Sequence, residues 1–80
     1  LGIKMKEIEA IQMRKDLVRI KEYGFTDSSI SRYIGNISDR AIREFVSIKN
    51  RMLSDTNHNN LKDWIDKTLT VIEEQENKGE

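Results

Sequence analysis

Apolar residues recur along this chain at three- and four-residue steps, the period of a helix with one buried face. Ala10, Met13, Leu17 and Ile20, with Ile8, Ile11 and Val18 beside them, predict a first helix from about Lys6 to Tyr23. Gly24 stands where a left-handed C-terminal cap is wanted, and Phe25 follows as the residue that folds back onto the preceding turn. Thr26 or Asp27 can then cap a short second helix, about Asp27 to Ile34, buried through Ile30 and Ile34. Gly35-Asn36 breaks it, both residues tolerating positive φ, and Ser38 offers the next cap. Ala41, Ile42, Phe45, Val46, Ile48 and Leu53 carry a third, longer helix to about Met52 or Leu53. The run from Ser54 to Asn60 is polar and turn-forming and predicts a loop, in which His58 is an exposed residue and Asn59 or Asn60 caps a last helix. That helix carries the stripe Leu61, Trp64, Ile65, Leu69 and Ile72.

No internal repeat and no domain boundary interrupts this pattern. The expectation is an all-α fold, a small bundle of four to five helices forming one domain over residues 1–80. Its core covers about 14–72 and includes Ile30, Ile34, Ile37, Ile42, Phe45, Trp64, Ile65 and Leu69; an acidic tail, 74–80, has nothing to bury and is expected to fray. Eighty residues sit near the size at which one core is only marginally stable, so a homodimer is a natural expectation. With 36% hydrophobic and 35% charged residues and no proline, the composition fits short amphipathic helices rather than a disordered chain.

The absence of cysteine excludes disulfides and thiolate metal sites, and no apolar run approaches the roughly 18 residues of a spanning helix. Leu1 to Met5 lack the features of a cleaved leader, so the expected location is the cytoplasm, without membrane association. One histidine, no cysteine and serines in capping positions provide no nucleophile–base pair, so an enzyme and a small-molecule substrate are not expected. Asp63, Asp66, Glu73, Glu74 and Glu76 are interleaved with Lys62 and Lys67 and read as a solvated face, not a cation site; neither metal nor cofactor is implied. The net charge is zero, but from Arg14 to Arg51 nine basic residues face five acidic ones, whereas from Met52 to Glu80 three face seven. A basic middle of this size attracts phosphate modestly.

Two short helices across a tight glycine turn, the second exposing basic residues from its first turns, form the arrangement by which a helix enters the major groove. From Asp16 to Ile42 the chain resembles the Cro and phage-repressor family of helix-turn-helix proteins through Leu17, Ile20, Gly24-Phe25-Thr26, Ile30, the small Ser31, Ile34-Gly35, Ser38 and Ile42. Leu61 to Leu69 looks like the family's closing helix. The turn carries one additional residue, Gly35-Asn36-Ile37, the third helix runs longer than usual, and Asp27 stands where members commonly place a phosphate-holding glutamine.

The resemblance implies a sequence-specific transcriptional regulator of phage or mobile-element type that binds duplex DNA as a dimer, with recognition helix 38–52 in the major groove. Ser38, Asp39, Arg40, Arg43 and Glu44 would face base edges, with Arg40 and Arg43 as the principal readers. Arg32, Asn36, Ser47, Lys49, Asn50 and Arg51 would hold phosphates. The alternative is an antirepressor-like module of the same fold, in which Asp27, Asp39 and Glu44 meet the arginines of a partner repressor.

Overall fold

The computed structural model describes residues 5–78. They form four helices and, among the described residues, no strand: α1 (Met5–Lys21), α2 (Asp27–Ile34), α3 (Asp39–Ser47) and α4 (Asp55–Lys78). The all-α bundle expected from the periodicity is the observed architecture. α1 packs against α4 and α3, and α2 packs against α3 and α4.

Each boundary around α2 has a local cause. Tyr23 and Gly24 donate main-chain N–H groups back to Ile20 and Lys21, both at 3.0 Å, and Gly24 takes φ +97°, a conformation costly for any residue with a Cβ. Of the two candidate caps it is Thr26 that closes α2: its hydroxyl accepts from the Ser29 N–H at 3.1 Å while the Ser29 hydroxyl accepts from the Thr26 N–H at 2.9 Å. Gly35, at φ +90°, ends the helix by donating to the Ser31 carbonyl at 2.8 Å. The Ser31 hydroxyl donates to the Ile37 carbonyl, pinning the turn to α2, and Ser38 caps α3 by accepting from the Ala41 N–H at 3.1 Å.

Ala10, Met13, Leu17 and Ile20 of α1 meet Ile30 of α2, Ile37 of the turn, Ile42 and Phe45 of α3, and Leu61, Ile65 and Ile72 of α4 in one buried cluster. Ile34, Leu69 and Trp64, expected in this core, are only half-buried and pack on its rim. Trp64 instead stacks on Tyr33 at 6.1 Å between ring centres and meets the edge of Phe25 at 5.6 Å. Ile8, Ile11 and Val18, read with the buried stripe of α1, lie on its opposite face and are about half exposed.

The second half of the chain departs from the periodicity. α3 ends at Ser47, not near Met52: the Ile48 N–H makes the last helical bond, to the Glu44 carbonyl at 2.8 Å, and the Ile48 backbone then turns extended. Asn50 adopts φ +69°, which asparagine tolerates, and reverses the chain. Arg14 rewards this early stop: its guanidinium lies 4.6 Å from the Phe45 ring centre and donates to the Phe45 carbonyl, which the end of the helix leaves without a partner, and to the Arg51 carbonyl in the turn that follows. The expected 54–60 loop is the opening of α4. Ser54, rather than Asn59 or Asn60, caps it, its hydroxyl accepting from the Asn57 N–H at 3.3 Å and its carbonyl from the His58 N–H at 2.8 Å.

His58, expected exposed, is 2% exposed, and its Nε2 lies 2.8 Å from Glu9 Oε1. At the other end α4 stays helical through Lys78 instead of fraying after Glu73, since Glu76 receives Arg19 at 3.0 Å and the Tyr23 hydroxyl. The remaining residues of the expected tail, 79–80, lie outside the described residues.

Candidate nucleic-acid interface

Because Gly35 and Ser38 hold α3 directly after α2, the first residue of α2 and the outer face of α3 share one surface. Arg43 bridges them: its guanidinium is 3.6 Å from Asp27 of α2 and 3.6 Å from Asp39 one turn back on α3. The Ser28 hydroxyl also reaches Asp39 at 3.4 Å. Asp27 is largely covered and pairs with Lys21 at 2.6 Å.

One turn along, Arg40 donates to Glu44 at 3.0 Å, and Arg51 reaches the other oxygen of the same carboxylate at 2.9 Å. The hydrogen bond from Arg40, aided by the charge of Arg51, holds the Glu44 carboxyl below its ordinary value of 4.5. The surface therefore sets Lys21, Arg40, Arg43 and Arg51 against Asp27, Asp39 and Glu44, with Arg40 (side chain 81% exposed) and Arg43 (58%) the most open to a ligand.

Of the five residues expected to read bases, Asp39, Arg40, Arg43 and Glu44 come together here. Ser38 stands at the edge with its hydroxyl engaged as the α3 cap. The expected phosphate contacts do not form one row. Arg51 joins the charged network, and Ser47 and Lys49 lie exposed at the end of α3 and in the turn after it. Asn50 faces α1 in a depression with Glu7, Ile11, Arg14 and Met52, whereas Asn36 faces α4, beside Tyr33, Asn60, Asp63, Trp64 and Lys67. Arg32 is exposed in the last turn of α2. Sequence reasoning missed Lys21 as a member of the network; its position in the last turn of α1, six residues before Asp27, was the available signal.

Among the described residues no group of three or more histidine, cysteine, aspartate or glutamate side chains could hold a metal ion, and no helix is long and apolar enough to cross a membrane. No family model, no curated protein and no solved structure matches the chain.

Proposed function

We propose that this protein is a DNA-binding transcriptional regulator of the phage or mobile-element type, working in the bacterial cytoplasm as a homodimer, with no catalytic role. The observation that carries the reading is the common surface formed across the glycine turn by the start of α2 and the outer face of α3, from which Arg40 and Arg43 project. α3 would lie in the major groove, with Arg40 and Arg43 donating paired hydrogen bonds to guanine edges. Arg32, Ser47, Lys49 and Arg51 would contact flanking phosphates. The ion pairs now made by the two arginines do not oppose this: Asp27 and Glu44 are largely covered, but the guanidinium groups of Arg40 and Arg43 stay open to solvent and have donors left for a base or phosphate.

A second reading draws on the same network. Asp27, Asp39 and Glu44 nearly balance the basic groups of that surface, and a balanced surface suits a protein partner carrying its own arginines, such as a repressor whose DNA-binding face is to be covered. Selection of bound duplexes from a random pool at physiological salt separates the two. Recovery of a two-fold symmetric site, lost in the Arg40→Ala, Arg43→Ala double variant with helical content unchanged, supports the DNA reading. No enrichment by folded wild-type protein overturns it in favour of the protein-binding one.

A further inference from the structure

α1 is apolar on two opposite faces. One is the buried stripe; the other consists of Ile8, Ile11 and Val18, each about half exposed, in line with exposed Lys15 and Glu22. Single exposed apolar residues are ordinary on a protein surface. These are not scattered: positions 8, 11, 15 and 18 of α1, and 22 just past its end, follow the alternating three- and four-residue steps of a coiled-coil seam, and among the described residues these side chains stay open, Ile11 at the edge of the depression it shares with Asn50 and Met52.

We infer that this outer face of α1 is the seat of a second copy of the same chain, whose α1 lies antiparallel to it. Lys15 decides the direction. A parallel pair would set Lys15 against Lys15 of the second copy inside the seam, where like charges repel. The antiparallel pair instead sets Ile8 across from Val18 of the second copy and Ile11 across from its Lys15. The four-carbon stem of Lys15 then covers Ile11 while the ammonium reaches water.

The flanks agree with this register. On one side Glu7 approaches Lys21 of the second copy, whose ammonium spends one donor on Asp27 of its own chain and has others left for this opposite-charge pair, made twice by the two-fold axis. Arg14, which would meet its own counterpart on that flank, is drawn into its own chain by the Phe45 and Arg51 carbonyls. On the other side Arg19 is already held by Glu73 and Glu76. The seam residues Ile8, Ile11, Lys15 and Val18 lie on α1 and take no part in the α3 network, which the seam's flank touches only through Lys21, so failure to find a DNA site leaves the inference standing.

Sedimentation equilibrium and cysteine pairing test it on the full chain. Wild-type protein is expected to pass from monomer to dimer as concentration rises through the micromolar range, and Ile11→Glu to remain monomeric with unchanged helical circular dichroism. Because the chain has no cysteine, Ile8→Cys and Val18→Cys each introduce a single thiol. Under mild oxidation an equimolar mixture should give a cross-linked pair joining the two variants in clear excess over either self-pair, as the antiparallel register requires. A wild type that stays monomeric to millimolar concentration, a dimer indifferent to Ile11→Glu, or self-pairs that form as readily as the mixed pair would overturn the inference.

Discussion

The α2–turn–α3 unit and the α1–α4 seam are closed by different means. In the first, both ends of α2 and the start of α3 are satisfied within a few residues: Thr26 with Ser29, Gly35 with Ser31, Ser31 with Ile37, Ser38 with Ala41; only the end of α3 draws on a distant group, Arg14. In the second, the polar links join residues about fifty apart in the chain. Lys6 bonds the Leu53 carbonyl at 2.7 Å and the Asp55 carboxylate at 2.8 Å, Glu9 bonds His58, and Glu76 receives both Arg19 and Tyr23. Local closure leaves these three ends insensitive to ionisation, whereas the seam depends on which groups are charged.

The strongest test erases the difference. Phe45 is fully buried beneath Arg14 and touches both halves of the core, so Phe45→Ala should cost about 3–5 kcal/mol and abolish the folded state of both together, as read by urea denaturation. A narrower cut separates them. His58→Ala removes the buried partner of Glu9 and should cost about 1–3 kcal/mol, with amide exchange accelerating in α1 and α4 more than in α2 and α3; equal acceleration everywhere would show that the two regions open as one. The converse cut, Ser38→Ala, removes a cap and should cost about 1 kcal/mol, with faster exchange concentrated in the first turn of α3.

Smallest is the effect of acid. The His58 bond holds the Glu9 carboxyl below its ordinary 4.5, and Lys6 holds that of Asp55 below its ordinary 3.8. The unfolded chain therefore takes up these protons first, and the stability they contribute, present above those ordinary values, is lost as pH falls through the lower folded ones. Tyr23 works in the opposite sense: its bond to Glu76 raises the phenol above 10.0, so that contribution is present below pH 10 and lost above it. Glu9→Gln should flatten the acid limb of a denaturation-midpoint profile between neutral pH and about pH 3.

The same contrast explains what could be read from the chain beforehand. The all-α class, the glycine stops at Gly24 and Gly35, and the caps at Thr26 and Ser38 were legible because each is settled among neighbours in sequence. The end of α3 was not, since it depends on Asn50 reversing the chain and on Arg14 arriving from another helix. His58 stands three residues before Leu61 and seven before Ile65, in line with the buried stripe of α4, yet its asparagine neighbours read as loop and its partner is 49 residues away. The charged residues of the candidate interface could be named from the sequence. Their pairing could not, because which carboxylate meets Arg43 is set by how α2 and α3 cross.

Arg14 has a further consequence. By bonding the Phe45 carbonyl at the end of α3 and the Arg51 carbonyl of its following turn, it links α1 and α3 directly. In a dimer joined along α1, the gap between the two α3 helices would then be an inherited dimension, fixed by the two-fold axis and by this one guanidinium. Moving the seam by a single heptad would displace both α3 helices along the axis of α1, turning a change on one face of the molecule into a different ruler on the other.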